Sequence, residues 1–240
     1  MSTFYNTNNK ALSEISGLTS IIVSDLKSKK LLPRGSALMT SSGKLSPDIT
    51  AIFHAATGTM KTYFPKAPYY EPSLQSVEDS IQACFELSKL NGNKRIAMPY
   101  IGGSIFKNRI FAKQGLSDDE QNERLVACIV AATISNAKAS TSDFCFVAFD
   151  NPSYLLFSSE LKKSFGAVDL SEHLMEGDIT DFKLHNCDGI VNAANMEVQF
   201  GGGISGAIAT ATHDKANIDL EANHCILQFW SDYEATQLAV

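Results

Sequence analysis

Three short runs between residues 177 and 209 combine glycines, side-chain amides and a carboxylate in a fixed order: GDIT, GIVNAAN and GGGISGAIA. The middle run is typical of an apolar strand that brings Asn192 and Asn195 to the carboxyl edge of a sheet, where open α/β folds bind ligands. The glycines at 201–203 let the backbone approach a ligand closely, because no side chain is in the way. A helix that begins just after them would direct free N–H groups and its positive dipole end at that ligand.

These features together predict a diphosphate site that needs no lysine or arginine. Such a site suits an acidic chain, since the 20 Lys and Arg residues fall short of the 26 Asp and Glu residues and the formal net charge is −6. We expect no strong nucleic-acid binding, because sequence-independent attraction to phosphates needs a surplus of basic residues. Asp178, at the end of its strand, could accept hydrogen bonds from an adenine amino group or a ribose.

The elements that must position these residues alternate between strand and helix. Short apolar runs predict strands at residues 50–56, 95–99, 144–149, 167–175 and 189–192. Helices are predicted over residues 73–91, from a capping box at 117–120 to about 137, from an N-cap at Asn151 to Gly166, and over 204–212. Because the strands are apolar throughout, we expect a largely parallel sheet with helices on both faces.

Residues 35–211 resemble the macro domain family, which binds ADP-ribose. The family pattern contains GDIT, a strand ending in VNAAN, and GGG followed by V/I-x-x-A-I, and this chain carries all three in order. The pattern also contains a strand like IIHA, and a later strand that ends in Pro before a glycine loop and an aromatic residue. Here these parts match residues 52–55 and the run MPYIGGSIF at 98–106. The resemblance implies a three-layer α/β/α sandwich with a mixed, largely parallel sheet.

The order of the two parts differs from that of typical members, in which the half with GDIT comes first. Each half occurs once, so the economical account is a circular permutation: residues 35–150 form the second half of the pattern and residues 167–211 the first. A dimer in which two chains exchange halves is the alternative. A single domain would then cover 35–240, with an N-terminal extension at 1–34 and an unassigned tail at 212–240.

The resemblance implies a role for each matching residue. Asp178 would contact adenine with Ile179 beside the ring, and Asn195 would orient the distal ribose as the catalytic residue. Residues 201–205 would form a first phosphate loop and residues 102–105 a second one, with Phe106 on the distal ribose. The expected ligand-binding residues are Asp178, Ile179, Asn192, Gly201, Gly202, Gly203, Ile204, Ser205, Gly102, Gly103, Ser104, Ile105 and Phe106.

The resemblance also implies hydrolysis of an ADP-ribosyl adduct of a protein, nucleotide or small molecule at the distal ribose. Many hydrolytic members have Asp where this chain has Ser205, and some viral members have His where it has Phe200. Neither Ser nor Phe acts as a general base near neutral pH, although a phosphate of the ligand could activate water instead. The alternatives are a reader that binds ADP-ribose without cleaving it, a phosphatase acting on ADP-ribose 1″-phosphate, and a scaffold without a ligand.

Other features bear on the remaining classes of function. No apolar run approaches the ~20 residues of a membrane span and the N-terminus is polar, so we expect neither a membrane segment nor a secretory signal. Five widely spaced cysteines without a C-x-x-C pair favour a reduced, cytoplasmic protein. We expect no metal or cofactor, because no set of ligands has a fitting spacing. His54 is expected to be a packed core histidine, and Lys107 to pair with a diphosphate or with solvent.

Overall fold

The computed structural model describes residues 15–59, 68–103, 105–166 and 169–238. One six-stranded sheet forms its centre, in the order β1-β2-β6-β3-β4-β5. Its strands are β1 (Ser36–Thr40), β2 (Ala51–Ala56), β3 (Arg95–Met98), β4 (Asp143–Ala148), β5 (Leu174–Glu176) and β6 (Gly189–Ala194). Among these six described strands, only β1 runs antiparallel to its neighbour, so the expected α/β fold with a mixed, largely parallel sheet is confirmed.

Helices flank the sheet on both faces. They are α1 (Ser20–Ser28), α2 (Leu74–Asn91), α3 (Ile105–Ile110), α4 (Asp118–Ser140), α5 (Asn151–Phe165), α6 (Phe182–His185), α7 (Gly203–Ala211) and α8 (Lys215–Leu238). None of the helices in the described ranges combines the length and the apolar character that a bilayer crossing requires.

Local sequence signals fix several helix ends. Ser73 and Ser76 form a reciprocal capping box at the start of α2, and Gly92 ends this helix with a left-handed φ of 75°. The predicted capping box of Ser117 opens α4. The predicted N-cap of α5 is wrong: Asp150 takes this position instead of Asn151, because its extended backbone lets the carboxylate accept from the N–H of Ser153 at 3.0 Å.

The outer elements of the sheet differ most from the sequence prediction. The strand expected at 167–175 is the short β5, whose start was placed too early; residues 167–168 lie outside the described residues. The edge strand β1 and the long helix α8 were not predicted, and α1 occupies a segment that carried no clear signal. The local signals of these segments are weak: β1 has only three consecutive apolar residues, and polar residues interrupt the apolar pattern of α1 and α8. Their structure therefore depends on their partners in the fold.

Alternating strand residues supply two apolar layers. Phe53 of β2 and Val191 of β6 pack in a cluster with α2, α4 and α5 on one face. Their neighbours Ile52 and Ile190 pack on the opposite face with residues of α7 and α8. The sheet is therefore buried on both sides, as the uninterrupted apolar strands predicted.

The described part of the N-terminal segment packs against the C-terminal helix. Leu26 of α1 lies in one cluster with Phe229 and Trp230 of α8, and Leu38 of β1 connects this cluster to the sheet. The indole Nε1 of Trp230 donates to the carbonyl oxygen of Leu31 at 2.9 Å. These two terminal segments therefore pack against each other and against β1.

Candidate functional site

A cleft of about 430 Å³ opens at the carboxyl ends of the central strands. Since β6 lies between β2 and β3 and runs parallel to both, the segments that follow these strands meet at one edge of the sheet. Both glycine-rich segments contribute to the cleft. Its lining residues are Tyr100, Gly102, Gly103, Phe106, Val147, Phe149, Ser153, Ala193, Ala194, Asn195, Gln199, Gly201, Gly202, Gly203, Ile204 and Ser205.

The first glycine segment leads directly into α7. Gly202 is the N-cap residue and makes no side-chain capping bond, so no side chain of its own covers the start of the helix. A Cβ atom added at Gly201, Gly202 or Gly203 would meet no atom within 4 Å. Only Gly203 needs glycine for its backbone, with a φ of 60°. The lack of side chains at these positions therefore leaves open space above the N-terminus of α7.

Internal contacts hold the shape of this first segment. The Oγ of Ser205 accepts a hydrogen bond from the N–H of Gly201 at 3.3 Å. A Cβ atom added at Gly206 would lie 2.9 Å from the carbonyl oxygen of Gly201, so the first turn of α7 packs closely against the segment. Ser205 thus connects the start of α7 to the glycine segment that precedes it.

The second glycine segment follows β3. Gly102 has a φ of 75°, and a Cβ atom added there would lie 3.2 Å from the side chain of Val77. A Cβ atom added at Gly103 would lie 3.2 Å from the ring of Tyr100. Phe106 is half-buried and lines the cleft. Ser104 lies outside the described residues; Ile105 begins α3, and its side chain is not described.

Asn195 lies immediately after β6 and lines the cleft. Its Oδ1 is buried and has no hydrogen-bond partner among the described residues, and the same is true of the Oγ1 of Thr57. Thr57 follows β2, and its N–H donates to the carbonyl oxygen of Ala194 at 3.4 Å, so these two polar side chains follow adjacent strands. A buried oxygen without a partner costs about 1–3 kcal/mol, which a water or a ligand hydroxyl would recover.

Three of the predicted ligand-binding residues do not line the cleft. Asn192 is 1% exposed and donates through Nδ2 to Nδ1 of His54, which lies in the core. Ile179 is also buried. Asp178 is exposed, and its Oδ1 accepts from both the N–H and the Oγ1 of Thr180 at 2.8 Å, which forms a turn after β5. Their assignment to the ligand stays a prediction.

His54 is a neutral core histidine, as expected. Burial lowers its pKa to about 3. Because Asn192 donates to Nδ1, the proton lies on Nε2 and is donated to Oγ1 of Thr40 at 2.8 Å. His54 therefore supports the strand ends behind the site and is not a base in the cleft.

The sequence prediction missed one prominent aromatic residue at the cleft. Phe149 is 82% exposed and lines the cleft, although it was assigned to the end of a buried strand. β4 ends at Ala148, so Phe149 lies just beyond the last paired residue. Tyr100, Val147, Ser153 and Gln199 were missed as well. The sequence did contain a signal for Phe149: it is a large aromatic residue directly after an apolar strand and before the capping residue Asp150.

The electrostatics of the cleft are unusual for an anion site. Among the lining residues that the structure describes, no side chain is charged. Burial, together with the nearby carboxylate of Asp118, raises the pKa of Tyr100, so its phenol stays protonated. Within the described ranges, no group of three or more His, Cys, Asp or Glu side chains converges as a metal site would require. An anion here would be held by backbone N–H groups and neutral side chains.

Comparisons with known proteins include a structural likeness to a macrodomain. No protein-family model matches this sequence. A comparison with curated proteins finds no match. A solved structure of a mutant macrodomain from Oceanobacillus iheyensis is similar to this chain, with a TM-score of 0.42 and 17% sequence identity. The likeness covers 57% of this chain and 63% of that one, which is less than two thirds of its length.

Proposed function

We propose that the cleft binds ADP-ribose and that the protein recognises ADP-ribosyl groups. The observation that carries this proposal is the meeting of two glycine segments, at 102–103 and 201–203, in one cleft. Its volume of about 430 Å³ lies within the roughly 300–1,000 Å³ of small-molecule sites.

The diphosphate would lie at the N-terminus of α7. A helix N-terminus offers several free N–H groups and a positive dipole end, and both stabilise an anion. The open space above Gly201, Gly202 and Gly203 allows a phosphate to reach the backbone. This mode of binding suits a cleft with no charged side chain among its described lining residues.

The remaining parts of the ligand have matching surfaces in the same cleft. Phe149 offers an exposed aromatic face, on which an adenine ring can stack. The buried Oδ1 of Asn195 is an acceptor without a protein partner among the described residues, which suits a ribose hydroxyl. Together with the two glycine segments, these groups complement a base, a diphosphate and a sugar.

We also propose that the chain is a circularly permuted macro domain. Supporting this proposal, β6, from the half with GDIT, is hydrogen-bonded between β2 and β3, which come from the other half. Because strands of the two halves alternate in one sheet, neither half can bury its strands alone. Deletion of residues 177–240 should therefore unfold the protein, measured by the loss of a cooperative thermal transition. A cooperative transition in the shortened chain would contradict the permutation.

Hydrolysis at the distal ribose is the second candidate function. Asn195 favours it, because the unpartnered Oδ1 could orient a water molecule as well as a hydroxyl. Binding without cleavage ranks first, because the described lining residues include no carboxylate or imidazole that would act as a general base.

Titration calorimetry with ADP-ribose tests the first proposal, with adenosine and ribose 5-phosphate as partial ligands. We expect heat and a thermal shift with ADP-ribose and much weaker binding of either part. Absence of both signals would overturn the proposal. Incubation with mono-ADP-ribosylated protein and, separately, with ADP-ribose 1″-phosphate then distinguishes the activities. ADP-ribose released from the modified protein identifies a hydrolase, and inorganic phosphate released from ADP-ribose 1″-phosphate identifies a phosphatase. The absence of both reactions identifies a reader.

A further inference from the structure

Two residues on either side of the second glycine segment share one acceptor on α4. The hydroxyl of Tyr100 donates to Oδ1 of Asn122 at 3.0 Å. The Nζ of Lys107 donates to the same oxygen at 2.7 Å. Gly102, Gly103 and Phe106 of the cleft lie between these two attachment points along the chain. Asn122 therefore holds both ends of this segment.

Asp118 fixes the orientation of the Asn122 side chain. The Nδ2 of Asn122 donates to Oδ2 of Asp118 at 3.2 Å, while Lys107 donates to its Oδ1 at 2.6 Å. Because the amide nitrogen faces a carboxylate, the amide oxygen must face Lys107 and Tyr100. The side chain of Lys107 is only 9% exposed, whereas that of Asp118 is 72% exposed. Lys107 is thus engaged by α4, so the expectation of a solvated lysine is wrong, while its pairing with a diphosphate stays a prediction.

Tyr100 connects Asn122 to the second glycine segment, which lines the cleft. Its ring packs edge-on against Phe157 with ring centroids 5.9 Å apart. The same ring lies so close to Gly103 that a Cβ atom there would be 3.2 Å away. The position of the Tyr100 ring therefore limits how the backbone of Gly103 can lie.

We propose that Asn122 is a positioning residue of the cleft. It keeps the second glycine segment in one conformation before the ligand arrives, through its bonds to Tyr100 and Lys107. Ordering a segment during binding weakens affinity, and preorganisation removes that cost. This inference rests on the proposed function, because it assigns the preorganised segment to a phosphate of ADP-ribose.

The test compares Asn122→Ala with Asn136→Ala, a control on the same helix whose side chain donates to the backbone of Ala132 at 2.8 Å. We expect Asn122→Ala to weaken ADP-ribose binding about fivefold to tenfold, and the control to leave it unchanged. Amide hydrogen exchange in the free protein should become faster at Gly102 and Gly103 and stay constant at 201–203. A purely structural role would instead speed exchange in both glycine segments or in neither.

A second variant separates positioning from general destabilisation. Lys107→Met removes one of the two bonds to Asn122 and keeps the aliphatic stem. In this background, Asn122→Ala should weaken binding less than it does in the wild type, because the two residues act through the same contact. The inference would be overturned if the losses of affinity from the two substitutions were fully additive. It would also be overturned if Asn122→Ala had the same affinity and the same amide exchange rates as the wild type. If the wild type fails to bind ADP-ribose, the proposed function is wrong, and the exchange measurement alone decides whether Asn122 restrains the segment.

Discussion

The side chains of Asn192 and His54 are hydrogen-bonded across 3.1 Å and join β6 to β2, although 138 positions separate them in the sequence. The bond connects two distant parts of the chain in the core of the sheet. It also fixes the tautomer of His54, which donates onward to Thr40. The buried imidazole is neutral, because burial lowers its pKa to about 3.

This buried histidine predicts a specific dependence of stability on pH. In the unfolded chain the pKa of His54 returns to about 6.5, so between pH 6.5 and 3 the unfolded state binds a proton that the folded state does not. Its contribution to stability is therefore present above pH 6.5 and is lost as the pH falls. We expect the free energy of unfolding to decrease by about 2 kcal/mol at pH 5 from this group alone.

Chemical denaturation of the wild type and of His54→Gln at several pH values measures this effect. The variant should lose less stability between pH 7 and 5 than the wild type, because the two proteins have the same titrating groups apart from His54. Proton NMR provides a second measurement, in which the His54 ring signal should not titrate down to pH 4. A His54 ring that titrates near pH 6.5 in the folded protein would contradict the prediction.

Gly202→Val tests the open space above α7. The residue has extended backbone angles, φ −94° and ψ −172°, and an added Cβ atom meets no protein atom within 4 Å. We therefore expect only a small loss of stability, because valine is a poorer N-cap residue than glycine. ADP-ribose should bind about tenfold to a hundredfold more weakly, since the side chain blocks hydrogen bonds to a charged phosphate. Ser135→Val, at an exposed position of α4, is the control. Unchanged calorimetric affinity in Gly202→Val would place the phosphate elsewhere.

Phe149→Ala tests the proposed surface for the base. Stacking of a base on an aromatic ring contributes about 1–3 kcal/mol, so affinity should fall about 5-fold to 100-fold. Stability should change little, because the ring is 82% exposed in the free protein. Leu155→Ala is a matched control, since Leu155 is also an exposed apolar residue but does not line the cleft. Equal calorimetric effects of both substitutions would mean that Phe149 has no special role.

Asn195→Ala distinguishes the contributions of its amide to binding and to turnover. Loss of one neutral hydrogen bond should weaken ADP-ribose binding about twofold to tenfold. If the wild type releases ADP-ribose from a modified protein, the variant should lose that turnover at saturating substrate. Single-turnover assays together with calorimetry separate the two effects. Turnover that persists at the wild-type rate would remove Asn195 from the reaction.

Trp230→Ala tests whether the terminal segments belong to the folded unit. The ring is 4% exposed, packs in one cluster with Leu26 and Phe229, and donates to the carbonyl oxygen of Leu31. We expect the free energy of unfolding to fall by about 3–5 kcal/mol, as for other buried tryptophans. A denaturation midpoint equal to that of the wild type would mean that α1 and α8 are independent of the core.

Several parts of the fold could be predicted because their signals are local. Capping residues predict the start of α4, which follows Ser117, and the end of α2, which precedes Gly92. An apolar run predicts the strand β2. β1 and α8 could not be predicted in the same way. β1 is a strand because it pairs with β2, and α8 buries Trp230 against residues far away in sequence.

The features of the site can be separated in the same way, into those that depend on residue type and those that depend on the fold. The sequence alone determined which residues leave the backbone bare, because a glycine lacks a side chain in any fold. Only the tertiary structure decided that Gly102 and Gly202 share a cleft, since this requires β6 to pair next to β3. It also decided that Asn195 lines the cleft and Asn192 does not. Residue types and their local spacing can be identified from neighbouring positions in the sequence. Strand order and burial depend instead on contacts between distant segments.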